Sequence, residues 1–279
     1  LKECGVKSFA LECWDEGRVT VNSAFAESLR AHGLTTFNAI MNYVGGSIVK
    51  NVLRERTTTR IDLLETAGPK QAFFLKRHGP PPINEYIKPW LRLTRPILGA
   101  RNEWNAILAF HEIGIPTMVP VAIGESGRNS FLLTESIEGC RKLSHWMEDN
   151  AWTYRAGGAR QKATILRRIA LTARQMHRAG MHHQDFYLTH LMVPDDDPER
   201  ELFVIDLGRV RRHRQLGKRW IVKDLAQLNF STPHLSREDR LRFLEAYLAR
   251  PLCPSDQPFV DRIERKTESI ARHSLKNGL

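Results

Sequence analysis

The chain has 279 residues, 42% hydrophobic and 26% charged, the balance of a soluble globular protein long enough for one two-lobed enzyme or two small domains. No apolar run approaches the roughly 20 residues of a membrane-spanning helix, and the start carries no secretory apolar segment. A formal charge of +11 calls for an acidic partner: nucleic acid, an anionic membrane surface or a phosphorylated glycan.

Aromatic residues, 8% of the chain, do not interleave with basic ones in a stacking pattern, which argues against nucleic acid. Cys4, Cys13, Cys140 and Cys253 show no Cys-x-x-Cys or Cys/His ligand spacing, so neither a zinc site nor a disulfide framework is expected, and a reducing cytoplasm is the expected compartment.

Residues 1–44 read as an N-terminal helical cap. Asn22 or Ser23 can cap a short helix through Ala31 with Gly33 beyond its end, and Thr35 or Thr36 can cap a second through Tyr43. From Ser47 the pattern turns to β. Ser47–Arg54, Thr57–Leu64 and Gln71–Lys76 are β-branched or apolar and partly alternating, with a turn at Gly68-Pro69, and predict an antiparallel meander that ends in Lys76.

After Pro80-Pro81-Pro82 a helix is predicted over Ile83–Leu93 and another over Ala100–His111, with Trp104, Ile107, Leu108 and His111 on one face and Glu103 beside it. Gly114 ends that helix. Two strands follow, Val121–Gly124 and Ser130–Thr134, and a domain boundary is placed near Ser136, between a unit over 45–136 and another over 137–279. A long helix over Ala159–Ala179 carries the apolar stripe Ile165, Ile169, Thr172, Met176 and Ala179, which is core.

The helix stops at Gly180, and His183-Gln184-Asp185 follows in a loop. A second carboxylate, Asp206, closes the apolar strand Leu202–Ile205 before Leu207-Gly208. This is the layout of a phosphoryl-transfer site. In protein kinases a His-Arg-Asp loop supplies the carboxylate that accepts the acceptor hydroxyl's proton, and an Asp-Phe-Gly supplies one to Mg²⁺. By that layout Asp185 is the catalytic base or hydroxyl-orienting group, Lys76 holds the nucleotide phosphates, and Glu103 is its ion-pair partner. Glu135 and Ile137 stand at the hinge, where adenine is held by backbone groups. Asp206 is the main metal ligand. His183 supports the loop by packing and hydrogen bonds, and Asp224 braces its backbone from the next helix. His190 stands where a protein kinase has Asn; imidazole is a poor ligand for Mg²⁺, so His190 either joins the metal site or contacts phosphate. Two departures stand out. Gln184 replaces the Arg of the kinase loop, and no Gly-x-Gly-x-x-Gly precedes the meander, only Gly45-Gly46. Arg54 or Arg56 would have to replace it through side-chain contacts, unless both are simply exposed hairpin charges.

The basic run Arg209–Arg219 occupies the place of an activation segment, and Arg209, Arg211 and Arg212 are candidates for binding an anionic acceptor, against the alternative of a solvated face. The tail from Ser236 reads as helices with a basic end.

Phe74-Leu-Lys76-Arg-His78, Leu98-Gly-Ala-Arg-Asn-Glu103-Trp, Gly114-Ile-Pro-Thr, His183-Gln-Asp185-Phe-Tyr-Leu-Thr-His190, Val204-Ile-Asp206-Leu-Gly-Arg209 and Arg219-Trp-Ile-Val-Lys-Asp224-Leu together resemble the lipopolysaccharide core kinases, the Kdo/WaaP family, relatives of eukaryotic-like protein kinases. His190 and the poor glycine loop are similar to what that family shows. The resemblance implies an α+β fold with a β-rich N-lobe and a mostly helical C-lobe. It implies ATP-dependent phosphorylation, with Mg²⁺ or Mn²⁺, of a heptose or Kdo hydroxyl in the lipopolysaccharide core glycolipid, at the cytoplasmic face of the inner membrane. A protein or small-molecule kinase on the same fold, or a weakly active pseudokinase that docks on glycan or membrane, are the alternatives.

Overall fold

The computed structural model describes residues 8–53, 56–64, 70–80, 99–149 and 158–276. The expected helix over 83–93, the turn at Gly68-Pro69, Pro81-Pro82, Arg54 and Cys4 lie outside them. Contacts divide the chain into two units, one of Leu1–Gly114 with Met118–Glu138 and one of Ile115–Thr117 with Gly139–Leu279.

The first unit is built on a seven-stranded antiparallel sheet. Its strands are β1 (Leu11–Trp14), β2 (Val19–Asn22), β3 (Ser47–Leu53), β4 (Arg56–Leu64), β5 (Lys70–His78), β6 (Pro120–Ser126) and β7 (Asn129–Glu135), in the spatial order β1-β2-β6-β7-β5-β4-β3. The meander of β3, β4 and β5 is present as expected. The opening segment is not purely helical, because β1 and β2 precede its two short helices, α1 (Ala26–Ala31) and α2 (Phe37–Met41). Val19 and Val21 are fully buried and β2 pairs with β6, Val19 opposite Gly124. A four-residue alternation becomes a strand only when a partner about a hundred positions away supplies its hydrogen bonds, so local periodicity missed it. The caps were legible. Asn22 accepts from the Ala24 amide at 3.2 Å and Thr36 from the Ala39 amide at 3.1 Å.

The core of this unit fills the space between the sheet and α1 and α2, where Phe25 meets Phe73 edge-on at 5.9 Å and Phe37 lies 5.6 Å from Phe131. Gly124 is needed beneath Phe131, since a Cβ there would lie 2.2 Å from the ring. Helix α3 (Arg101–Glu112) buries Trp104, Ile107, Phe110, His111 and also Glu103. Phe110 takes the inward place expected of Leu108, which is half-buried.

In the second unit, β8 (Cys140–Lys142), α4 (Leu143–Asp149), α5 (Gly158–Arg178), β9 (Met181–His182), β10 (Leu191–Pro194), β11 (Phe203–Val204), β12 (Arg211–Arg212), α6 (Lys218–Phe230), α7 (Arg237–Leu248) and α8 (Gln257–Lys276) follow in order. Helix α5 packs on α7, and α6 on α8. The stripe on α5 is Ile165, Leu166, Ile169, Ala170, Ala173, Met176 and His177, so Ala173 and His177 stand inward where Thr172 and Ala179 were expected. Helix α7 starts in a capping box, with Ser236 and Asp239 exchanging side-chain and backbone bonds. The small strands pair as β8-β10-β11 and β9-β12, and they hold the loops around Asp185. Cys13, Cys140 and Cys253 are free thiols.

Phe131 is fully buried at the centre of the first unit, so Phe131→Ala should lower its stability by about 3–5 kcal/mol, measured by chemical denaturation, without changing the helix content of the folded protein.

Candidate active site

Gly180 ends α5 at φ +77°, and a Cβ on it would lie 2.2 Å from the His213 carbonyl. The chain can therefore turn tightly into β9, which pairs with β12, His182 opposite Arg211. The loop that follows is held from one side by α6. Asp224, wholly buried, accepts from the backbone amides of His183 at 2.7 Å and Gln184 at 3.0 Å, and its carboxylate lies 3.3 Å from His177 Nε2. Burial pushes the Asp224 carboxyl up, but the hydrogen bonds from His177 and the His183 amide outweigh it, and the net shift is downward. One turn along α6, Gln227 accepts from the Phe186 amide at 3.1 Å and donates to the Gln184 carbonyl at 2.6 Å. Ser231 accepts from the Leu188 amide at 2.9 Å. Asp224, Gln227 and Ser231 thus form a polar stripe that takes up the loop's backbone groups in succession.

His183 is fully buried and fixed as one tautomer. Its Nε2–H donates to the Ile205 carbonyl at 3.1 Å, and its Nδ1 accepts from the Asp185 amide at 3.3 Å. Burial pushes its pKa down, so the ring is neutral and structural. Gln184 adopts φ +71°, and its side chain donates to the Arg209 carbonyl at 2.8 Å. Arg209 in turn donates from one guanidinium nitrogen to both Asp185 oxygens, at 2.8 and 3.0 Å. The expected acceptor-binding Arg209 is therefore engaged with Asp185. Arg211 and Arg212 form β12, with Arg212 exposed.

His190 donates from Nδ1 to the Asp185 carbonyl at 2.7 Å, and its Nε2 stands 3.5 Å from Asp206, which sits half-exposed at φ +59°. A neutral ring in that tautomer turns a lone pair toward a carboxylate, an arrangement that a cation between them, or a proton on the ring, satisfies. A carboxylate oxygen suits Mg²⁺, which takes one or two carboxylates together with phosphate oxygens; the imidazole is the poorer donor. Among the described residues no cluster of three or more His, Cys, Asp or Glu converges as a metal site.

The first unit carries the other expected residues. Lys76 on β5 lies opposite Leu132 of β7, and its ammonium is 2.5 Å from Glu103, which is buried in the first turn of α3. Glu135 accepts from Gln71 at 2.7 Å, and its amide is taken by the Val119 carbonyl. Ile137 is half-buried just beyond β7.

Residues 49–247 match the lipopolysaccharide kinase (Kdo/WaaP) family. The chain belongs to that family. Among Kdo/WaaP proteins it is 35% identical over 242 residues to the lipopolysaccharide core heptose(I) kinase WaaP of Escherichia coli, covering 82% of this chain and 90% of that one. It is 35% identical over 229 residues to the WaaP of Pseudomonas aeruginosa, covering 77% and 85%. A solved structure of WaaP in complex with acyl carrier protein is similar over 90% of this chain and 98% of that one, with a TM-score of 0.68 at 32% identity. The fold is accordingly mixed α+β and kinase-like, with an antiparallel sheet in the N-terminal part and a helical C-terminal part.

Sequence reasoning missed Gln227, Ser231 and the Arg209–Asp185 pair. The first two carry a helical-period signal, polar residues three and seven positions after Asp224, on a helix that also buries Leu228. The Arg209–Asp185 pair joins residues 24 positions apart through a left-handed turn, and nothing local announces it.

Two outcomes test this arrangement. Asp224→Ala strands the His183 and Gln184 amides, and should destabilise the protein by about 3–5 kcal/mol with faster exchange of those two amide protons. His182 is wholly buried, and burial lowers its pKa from 6.5 to about 4. The unfolded chain therefore binds that proton first, so stability falls as pH drops from about 6.5 toward 4, by about 2 kcal/mol at pH 5. A His182→Gln variant should flatten that part of the stability profile.

Proposed function

We propose that this chain is an ATP-dependent kinase that phosphorylates a heptose hydroxyl of the lipopolysaccharide inner core. The observation that carries it is Asp185. In a chain of the Kdo/WaaP family, this loop carboxylate has its neighbouring amides pinned by buried Asp224 and both its oxygens oriented by Arg209. The curated relatives are heptose(I) kinases, which favours heptose over Kdo as the accepting sugar.

Asp185 accepts the hydroxyl proton, or orients the hydroxyl oxygen for in-line attack on the γ-phosphorus. Phosphoryl transfer needs little covalent help, so positioning and charge carry the catalysis. Arg209 acts here as a positioning residue that fixes the two oxygens of Asp185, and Arg211 and Arg212 of the same basic segment contact the anionic acceptor. Lys76, held by Glu103, takes the α- and β-phosphates of ATP. At the hinge the Glu135 amide and side chain are both engaged, which favours Ile137 for the backbone contact to adenine. Asp206 would hold Mg²⁺, or Mn²⁺ in its place, with His190 beside it, and the ion would neutralise charge on the transferring phosphoryl group.

The acceptor lies in an anionic glycolipid, so the charge of +11 suits work at the cytoplasmic face of the inner membrane, held there by anionic lipid. No helix among the described residues is long and apolar enough to cross a membrane.

Transfer of labelled γ-phosphate to purified core glycolipid tests the reading. Asp185→Asn should lower kcat by about 10²–10⁴-fold with the ATP KM little changed. Lys76→Met should abolish the rise in Tm that ATP with Mg²⁺ gives the wild type. Absence of transfer by the wild type, with ATP still binding, would refute the assignment of acceptor.

A further inference from the structure

Helices α6 and α8 enclose an open groove of about 600 Å³ within the second unit. Lys218, Arg219 and Lys223 of α6 and Arg262, Arg265 and Lys266 of α8 line it, and no acidic side chain among the described residues does. Ordinary basic surfaces interleave acids, as this protein does elsewhere: on α7, Arg242 pairs with Glu238 at 2.6 Å, and further along α8, Arg272 stands near Glu268.

The local chemistry makes this concentration of charge unfavourable without a ligand. Lys218 and Arg219 open α6, whose first turn holds no acid and whose N-cap, Gly217, offers no side-chain acceptor. Cations at a helix N-terminus oppose the helix dipole, and the amides there attract anions. Lys223 is half-buried and has no hydrogen-bond or ion-pair partner among the described residues. Its ammonium is held below its ordinary range, by burial first and then by Arg209, with Lys266 adding to the repulsion, while Asp185 and Asp224 pull the other way. Lys223 thus stands on the wall of the groove and is the chain neighbour of Asp224, whose carboxylate holds the two amides that precede Asp185.

We propose that the groove between α6 and α8 is an anion subsite that binds phosphate and carboxylate groups carried by the acceptor glycolipid itself, with Lys223 as the link between that subsite and Asp185. The inference rests on the kinase reading above and deepens it: the acceptor is recognised as an already anionic saccharide, not as a neutral sugar. A concave site suits a saccharide bearing discrete anions better than a flat bilayer, and its wall on α6 is the helix whose Asp224, next to Lys223, holds the Asp185 loop, which favours anions on the molecule that presents the hydroxyl.

Calorimetry without nucleotide tests this independently of turnover. The probe is deacylated, heptose-bearing core oligosaccharide, used as isolated and after phosphatase treatment. The Arg265→Glu/Lys266→Glu variant changes two exposed side chains of α8. It should bind the phosphorylated oligosaccharide at least tenfold more weakly than wild type and the dephosphorylated one equally. The neutral Arg265→Gln/Lys266→Gln pair should give a smaller loss in the same direction, and Arg242→Glu, on α7, none. In transfer assays the loss should appear in the acceptor KM, with kcat retained. Equal affinity of variant and wild type for the phosphorylated probe overturns the proposal. So does a variant that loses only binding to phosphatidylglycerol vesicles free of acceptor, which would make the groove a membrane contact. A wild type that binds the oligosaccharide but transfers no phosphate to it would refute the kinase reading and leave the subsite standing.

Discussion

The second unit is arranged around one buried carboxylate. An ionised Asp224 with no solvent contact is tolerable only because every direction around it supplies a donor: the His183 and Gln184 amides, and the His177 ring, itself 2.9 Å from the Tyr247 hydroxyl. Those bonds do two jobs. They satisfy the charge, and they fix two successive peptide groups of the loop, so that Asp185 leaves the anchored segment in a defined direction. Removing the carboxylate would leave donors stranded in a dry interior, and the cost would fall on the loop.

Strain is stored beside this anchor. Gln184 at φ +71° and Asp206 at φ +59° both adopt the left-handed conformation that side chains disfavour by about 1–3 kcal/mol. Gln184 is held on three sides: its amide by Asp224, its carbonyl by Gln227, and its side chain by the Arg209 carbonyl. The third bond matters for chemistry, because it locks the backbone from which the Arg209 guanidinium reaches Asp185. A glutamine in place of the kinase loop's arginine thus builds a neutral tether that needs no phosphorylated segment to hold it.

The first unit uses the same device with a different pair. Glu103 is buried in the opening turn of α3, where a carboxylate also meets the helix dipole favourably, and it fixes the Lys76 ammonium at 2.5 Å. The helix is itself seated by the Ala100 amide, which donates to Ser130 at 3.1 Å, and by Gly99, whose φ of +71° permits the close approach. In each unit a buried acid fixes a neighbour: Glu103 the Lys76 ammonium, Asp224 the amides of the loop that carries Asp185. Family membership supplies the class of acceptor, which neither arrangement could specify, because a kinase-like fold serves many substrates.

The sequence by itself was enough for the meander, the helices near 100–111 and 159–179, the caps at Asn22 and Thr36, the pairing of Lys76 with Glu103 and the bracing of the loop by Asp224. Each of these is written in local periodicity or in motif spacing. It also sufficed for the family, through stretches spread from Phe74 to Leu225. What only the tertiary structure decided depends on partners distant in the chain. Strand β2 exists because β6 pairs with it, and Gly124 is required because Phe131 lies over it. Arg209, though more than half exposed, reaches Asp185 because the Gln184 side chain tethers its backbone carbonyl beside the loop. The acid-free groove arises because α6 and α8, neither unusual alone, bring their basic faces together; charge counted along a sequence carries no information about which side chains share one concave surface.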